Sequence, residues 1–221
     1  GSRPASNCMV YATFVVGNNG RYNAAVGGLI TNSAGEDDLT ILPVEENMNN
    51  GKTGAWFQYA VSTFKWATHL AKMDMDAFPY FSSVVSGIVK FRTTCEHVYG
   101  GEPLGCDDLP PSLQLCPGVG CGLPRNGDFL DYGGDKPSCF AFMQGGLYFM
   151  TRELAAKVSR WLEHDDFATI CAAEDLATGH TIRHYATEEK TCVAALSFGQ
   201  GETRFHKSRP LVMALKGPHC V

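Results

Sequence analysis

The sequence predicts one α/β domain that carries a long irregular excursion. Short apolar segments alternate with polar connections and helical patterns, which is the rhythm of an α/β fold. An acidic pair, Asp74 and Asp76, comes directly after one of these apolar segments. In open α/β sheets ligands bind beyond the carboxyl ends of the strands, so the position of this pair predicts a binding site.

Composition excludes several classes of protein. The chain has 221 residues and a formal net charge of −5, which argues against a protein that binds duplex nucleic acid through many phosphate contacts. No apolar run approaches the roughly 18 residues that a membrane-spanning helix needs. The opening Gly1-Ser2 is typical of an expression vector. We expect residues 1–8 to be vector-derived or disordered and residues 9–221 to form a single domain.

The first third of the chain predicts strands and one clear helix. Apolar and β-branched runs predict strands over 9–16 and 39–44, with a helix over 21–31 between them. Apolar residues spaced three and four apart predict an amphipathic helix over 54–67. The short apolar segment THLAKM then leads into the acidic pair as a third strand.

The rest of the chain predicts further strands and helices around the excursion. Two apolar bursts, CFAFM and GGLYFM, indicate strands that meet at a glycine turn where the backbone closely approaches another group. In chain order we expect a helix over 77–86, a strand over 88–93, the excursion to about 136, the two strands on either side of 144–146, a helix over 151–164 and a helix from 172.

The cysteines indicate an oxidising compartment. Of the nine, Cys95, Cys106, Cys116, Cys121 and Cys139 lie in or beside the glycine- and proline-rich excursion, whereas Cys8, Cys171, Cys192 and Cys220 are scattered. We interpret the excursion as held by one or more disulfides, with the pairing left open. A zinc site is the weaker interpretation, because no second C-x2-C or histidine pair completes a tetrahedral set.

Two acidic motifs could carry chemistry. Asp74 and Asp76, separated by one residue on a loop, can reach one hard divalent cation directly or through a diphosphate, although the pattern also occurs in polar turns. Glu174 and Asp175 stand at a predicted helix start, where acids interact favourably with the helix dipole. Either could instead act as a general base, because the apolar residues before them supply partly dry surroundings.

The histidines give weaker signals. His180 and His184 are four residues apart and should share a helix face, but the zinc-protease pattern fails because position 181 is threonine. A surface or packing role is the preferred interpretation for this pair. From the residues alone, His206 is an ordinary histidine.

Four segments occur in an order that resembles the family 31 β-1,3-glycosyltransferases, the galactosyl-, N-acetylglucosaminyl- and Fringe-type enzymes. Residues 72–76 (KMDMD) are similar to the family's K-x-D-D-D segment, and residues 145–153 (GGLYFMTRE) to its G-G-x-Y-x-x-[ST]-x-[DE] segment. Residues 174–179 (EDLATG) are similar to E-D-V-x-x-G, and residues 205–206 to the F-H pair of Fringe-type members.

This resemblance implies a fold and an activity. The fold would be GT-A-like, one nucleotide-sugar-binding domain with a central mixed sheet flanked by helices. The activity would be that of a metal-dependent inverting glycosyltransferase. It would transfer a hexose or N-acetylhexosamine from a UDP-sugar to a hydroxyl of an acceptor glycan, in β-1,3 linkage. The donor sugar could be galactose, glucose or N-acetylglucosamine.

The resemblance also implies roles for individual residues. Asp175 would be the catalytic base, with Glu174 as the alternative. Mn²⁺ or another divalent cation would be held by Asp74, Asp76 and His206, with His219 as the alternative histidine. The donor and acceptor cleft would be lined by Lys72, Asp74, Gly145, Gly146 and Tyr148.

One departure from the family pattern leaves a second function open. Met75 replaces the middle acid of the family's segment, which permits a non-catalytic, lectin-like domain that retains the glycosyltransferase fold. For the enzyme we expect the lumen of the Golgi or endoplasmic reticulum, as the lumenal part of a type II membrane protein. Its membrane contact would be made only through an anchor outside this sequence, and its partners would be a nucleotide sugar and a glycan.

Overall fold

The computed structural model describes residues 9–17, 39–104, 142–162, 174–198 and 203–204. Within these ranges the chain forms strands and helices that alternate along the sequence. The strands are β1 (Phe14–Gly17), β2 (Leu39–Leu42), β3 (His69–Met73), β4 (Phe78–Pro79), β5 (His97–Leu104), β6 (Phe142–Thr151), β7 (Val193–Ser197) and β8 (Thr203–Arg204). The helices are α1 (Thr53–Thr63), α2 (Phe81–Lys90), α3 (Arg152–Leu162) and α4 (Glu174–Glu188), and a π-helical turn, Met48–Lys52, precedes α1.

The central sheet is mixed and has the strand order β3-β6-β5-β7. β6 pairs antiparallel with both β3 and β5, whereas β7 runs parallel to β5. Two smaller sheets pair β1 with β2 in parallel and β4 with β8 antiparallel. This arrangement is a mixed α/β fold with a mixed sheet flanked by helices, as the sequence predicts.

Both faces of β6 are buried, so the strand lies at the centre of the molecule. Tyr148 and Met150 belong to the core on one face, which is shared with side chains of α1, α3 and α4. Leu147 and Phe149 point the other way and pack with Val84 of α2. Side chains alternate across a strand, so a strand covered on both faces is apolar throughout, as β6 is.

Several predicted elements are confirmed, with small differences at their ends. β2 and β3 lie where expected, β1 occupies the end of its predicted segment, and α3 and α4 begin at the predicted positions. α1 ends at Thr63 rather than 67, where the Phe64 amide caps it by donating to Ala60 O at 2.8 Å. The predicted helix over 21–31 lies outside the described residues.

The helix over 77–86 and the strand over 88–93 are wrong as predicted. Pro79 disfavours a helical conformation at the residue before it, and Phe78–Pro79 forms strand β4 instead. α2 therefore starts at Phe81 and continues to Lys90 through the β-branched residues that suggested a strand. Burial of Val84 against Phe198, with Ile88 packed beside them, outweighs that local propensity.

The glycine turn at 144–146 is also wrong. Residues 142–151 form one continuous strand, β6, in which Gly145 is an interior position. The glycine signal correctly indicated a close approach, which is described below. Strand β5 lies in part of the segment expected to belong to the excursion, and residues 105–136 of that excursion lie outside the described residues.

A disulfide joins Cys95 to Cys192, with Cα atoms 5.1 Å apart. It connects the residues just before the parallel strands β5 and β7. Cys95 therefore pairs with a scattered cysteine rather than within the excursion. The other cysteines lie outside the described residues.

Within the ranges that the model describes, no helix combines the length and apolarity needed to cross a membrane.

Candidate functional site

The acidic loop begins where β3 ends, as predicted. The amide of Asp74 donates to Gly146 O at 3.1 Å, which ties the first residue of the loop to β6. Asp74 is partly buried, whereas Asp76 is exposed. Met75, between them, is 86% exposed, so the residue that replaces the family's middle acid makes no core contact that would explain it.

The ammonium group of Lys72 lies at the centre of the site. It donates to Asp74 Oδ1, contacts Glu174 Oε1 at 2.5 Å, and donates to Gly145 O at 3.0 Å. Its side chain is only 11% exposed, and the ammonium lies 5.8 Å from the centre of the Tyr148 ring. Burial lowers the pKa of Lys72, but the carboxylates of Glu174 and Asp74 outweigh it and hold that pKa above its usual value. Lys72 is therefore a permanent cation.

Glu174 is the buried acid of the pair at the start of α4. Its Oε2 accepts from Tyr148 OH at 2.6 Å and from Thr53 Oγ1 at 3.3 Å, while Oε1 faces Lys72. Its backbone amide donates to Asn49 Oδ1 at 3.2 Å. Burial and the adjacent charge of Glu174 raise the pKa of Tyr148 well above its usual range, so the phenol remains a donor. Both carboxylate oxygens of Glu174 are thus used within the protein.

Asp175 has a different environment. Its Oδ2 accepts from the Gly145 amide at 2.9 Å and its Oδ1 from the Leu176 amide at 2.8 Å. The side chain is less buried than that of Glu174 and contacts backbone donors rather than the ammonium. Burial raises the pKa of Asp175 above its ordinary value, although these two amide hydrogen bonds lower it. A carboxylate with a raised pKa and lone pairs still available can accept a proton.

Gly145 is the point at which β6 and α4 approach most closely. A β-carbon added there would lie 3.3 Å from Asp175 Oδ2, 3.4 Å from Glu174 Oε1 and 3.4 Å from Lys72 Nζ. The residue is buried, and its amide and carbonyl are both used, by Asp175 and Lys72 respectively. A side chain at this position would separate the three charged groups.

Most of the predicted site residues converge in the fold. Seven of them meet where β3 and β6 adjoin the start of α4, namely Lys72, Asp74, Gly145, Gly146, Tyr148, Glu174 and Asp175. Asp76 lies on the exposed loop beside them, and both His206 and His219 lie outside the described residues. In the part of the chain that is described, no three His, Cys, Asp or Glu side chains form a group that could hold a metal ion. The predicted metal ligands Asp74 and Asp76 have the oxygen chemistry that a hard cation requires.

Sequence reasoning missed the residues that support Glu174. Asn49 reaches it from the π-helical turn and Thr53 from the start of α1. Thr178 donates back to the carbonyl of Glu174 at 2.8 Å and contacts Tyr148 OH at 3.3 Å. Thr178 lies one helical turn after Glu174, so the spacing in the sequence could have predicted this contact. Nothing in the local pattern of Asn49 or Thr53 shows that they lie beside α4.

His180 and His184 share a face of α4, as their spacing predicts. Their rings are stacked with centroids 6.4 Å apart, and the His184 ring lies 5.1 Å from that of Trp161. The packing role is therefore confirmed for His184.

A cavity of about 420 Å³ lies away from this site, at the other end of α4. It is bordered by the first turns of α3 and by the residues before β5 and β7. His97 is 4% exposed at its edge, and its Nε2 lies 3.2 Å from Tyr185 OH. The converging charges, rather than this cavity, therefore define the candidate site.

Comparison with known proteins gives a structural similarity but no match in sequence. No family model matches the sequence. No curated protein matches it either. Among solved structures, the inositol-1-phosphate CTP transferase of T. maritima matches with a TM-score of 0.41 and 17% sequence identity. The match covers 85% of this chain and 66% of that one, so the chain spans just under two thirds of the solved protein.

Proposed function

We propose that the chain is a metal-dependent inverting glycosyltransferase with a GT-A-like fold. It transfers a hexose or N-acetylhexosamine from a UDP-sugar to a hydroxyl of an acceptor glycan, in β-1,3 linkage. One observation carries the proposal. Three motifs that are far apart in the sequence, at 72–76, 145–153 and 174–179, meet around the Lys72 ammonium. Chance matches in unrelated parts of a fold have no reason to converge.

Asp175, rather than Glu174, is the base in this proposal. Both oxygens of Glu174 are engaged by Lys72, Tyr148 and Thr53, and its side chain is 7% exposed. Burial raises the pKa of both acids, so the pKa does not distinguish them, but among the hydrogen bonds described Asp175 accepts only from backbone amides. A base with a pKa nearer the working pH is better matched to removing a proton from a hydroxyl during attack.

The proposed reaction is a single displacement. The Asp175 carboxylate takes the proton of the acceptor hydroxyl while the hydroxyl oxygen forms a bond to the anomeric carbon. The bond from that carbon to the diphosphate oxygen breaks on the opposite face, and its electron pair leaves with UDP. The configuration at the anomeric carbon is therefore inverted.

The residues that would hold the divalent cation are Asp74, Asp76 and His206. Bound there, Mn²⁺ would stabilise the negative charge that develops on the departing diphosphate. Lys72 supports the same part of the site, because it holds the Asp74 carboxylate at the end of β3. Gly145, Gly146 and Tyr148 complete the proposed cleft for donor and acceptor.

The Cys95–Cys192 disulfide supports a compartment in which disulfides persist. We propose the lumen of the Golgi or endoplasmic reticulum, with a membrane anchor outside this sequence. The partners would be the nucleotide sugar and a glycan acceptor, and nucleic acid is not expected.

The test is thermal stability with UDP and a panel of UDP-sugars, with and without Mn²⁺. Mass action predicts about 2.7 kcal/mol of stabilisation at a ligand concentration 100 times Kd. A shift in Tm that needs both UDP and Mn²⁺, and is lost in Asp76→Ala but kept in the exposed control Glu188→Ala, supports the donor site. No shift with any nucleotide would overturn the proposal.

The alternative is a glycan-binding, lectin-like domain without turnover. The observation that favours it is the cavity at the other end of α4, whose carboxylates offer the hydrogen-bond acceptors that sugar hydroxyls use. Such a domain should bind glycans in the absence of UDP, and Asp175→Asn should leave that binding unchanged. A glycosyltransferase should instead lose transfer in Asp175→Asn.

A further inference from the structure

Lys72 has no hydrogen left for a substrate. A lysine ammonium carries three N–H donors and no acceptor. In this fold its three partners are Asp74 Oδ1, Glu174 Oε1 and Gly145 O, which belong to the loop after β3, to α4 and to β6. The side chain is 11% exposed, so these protein groups, rather than solvent, surround it.

The partner with which Lys72 makes its most buried ion pair, Glu174, fixes the start of α4. Its second oxygen accepts from Tyr148 OH, and its backbone amide is held by Asn49. Asp175 is the next residue, and its Oδ2 is held by the same Gly145 whose carbonyl binds Lys72. The ammonium therefore determines where two adjacent residues of α4 lie relative to β6.

We infer that Lys72 is a positioning residue, an internal counter-ion that sets Asp175 and the Asp74 loop in place, and that it does not bind the donor. This differs from the expectation that Lys72 lines the donor and acceptor cleft, and it rests on the proposed function for the role of Asp175. Without the ammonium, Glu174 is a buried carboxylate next to Asp175 with no cation to offset either charge. Repulsion would then move the start of α4 away from β6.

The experiment compares Lys72→Met, Glu174→Gln and the double variant in a double-mutant cycle, with Lys65→Met as the matched control on the exposed surface. We expect Lys72→Met to lower Tm by roughly 10 °C. The double variant should be more stable than Lys72→Met, because it leaves no unpaired carboxylate at position 174. If Lys72→Met does not fold, the double variant and Glu174→Gln are compared with the wild type.

Kinetics separate positioning from binding. Displacement of the base by about 1 Å predicts a loss of about 100-fold in kcat for Lys72→Met, and the double variant should recover part of that loss because no unpaired carboxylate remains at position 174. The Kd for UDP with Mn²⁺ should change less than threefold, and Lys65→Met should match the wild type in both measurements.

Two results would overturn the inference. One is a large increase in the Kd for UDP with kcat retained at saturating donor, which would make Lys72 a donor-binding residue. The other is strictly additive effects on Tm, which would show that Lys72 and Glu174 do not form a pair. If the wild type itself binds no UDP, the proposed function fails, and the stability cycle still decides whether Lys72 fixes Glu174.

Discussion

The Gly145 amide donates a hydrogen bond to Asp175 Oδ2 at 2.9 Å, which joins the interior of β6 to the first turn of α4. The same residue presents its carbonyl to Lys72 at 3.0 Å. One peptide segment thus contacts both the proposed base and the central cation. A glycine is needed there because an added β-carbon would lie 3.3–3.4 Å from three polar atoms of the site.

Gly145→Ala should reduce transfer more than it reduces stability. The added methyl group requires the Asp175 carboxylate to shift by a few tenths of an ångström, and misplacement of a base lowers kcat. Overpacking should lower the free energy of unfolding by about 1–3 kcal/mol. Steady-state kinetics and denaturant unfolding measure the two effects.

Gly87→Ala is the control for this prediction. Its β-carbon would lie 2.6 Å from the Phe198 ring on the opposite face of the sheet. Stability should fall there as well, but kcat per folded molecule should stay at the wild-type value. Equal losses of kcat in the two variants would show that Gly145 has no particular role in the site.

Asp175→Asn should abolish most transfer while the fold is retained. An amide cannot accept the hydroxyl proton, and loss of a general base costs about 10²–10⁴-fold in rate. One of the Gly145 and Leu176 amides can still donate to the asparagine oxygen, whereas the other loses its acceptor. The measurement is kcat with the preferred UDP-sugar. An Asp175→Asn enzyme with full activity would exclude Asp175 as the base.

The same substitution should change how stability depends on pH. Burial raises the pKa of Asp175, so the native state binds its proton more readily than the unfolded chain does. This contribution favours the native state at low pH. It is lost as pH rises from the pKa of aspartate in the unfolded chain, about 3.9, through the raised pKa of Asp175 in the native state. The Tm of Asp175→Asn relative to that of the wild type should therefore rise as pH increases from about 3.9 to 7.

Much of the fold could be predicted from local pattern. β3 and α3 follow from apolar periodicity, and the acidic loop follows from its place after an apolar strand. Phe78–Pro79 and α2 could not be placed because pairing with β8 and packing against Phe198 decided between helix and strand. Long-range contacts outweighed propensity at those positions.

The candidate site shows the same division. The motifs supplied Asp74, Gly145 and Asp175, because their residue types and order are visible in the sequence. They did not predict the different roles of Glu174 and Asp175. Those roles depend on which of the two carboxylates contacts Lys72 and Tyr148. That depends on the register of β3 with β6, which places Lys72 opposite Tyr148. No local pattern encodes this register.

Removal of the Cys95–Cys192 disulfide should reduce stability substantially. The bond closes a loop with a sequence separation of 97. In the chain-entropy model, a loop of about 100 residues corresponds to about 4.7 kcal/mol, and measured losses are commonly 2–5 kcal/mol. Cys95→Ser/Cys192→Ser should therefore unfold at lower denaturant concentration. UDP binding should persist under native conditions, because the bond lies away from the Lys72 site. An unchanged unfolding midpoint would show that the bond does not form in solution.

His97 should make stability depend on pH below about 6.5. Burial lowers its pKa, and the charges of Glu96 and Glu153 only partly oppose this. The unfolded chain then binds the proton more readily than the native state, so the stability contributed above pH 6.5 is lost as pH falls toward the native pKa. His97→Gln should flatten the Tm profile over this range. A wild-type profile retained in His97→Gln would assign the pH dependence to another group.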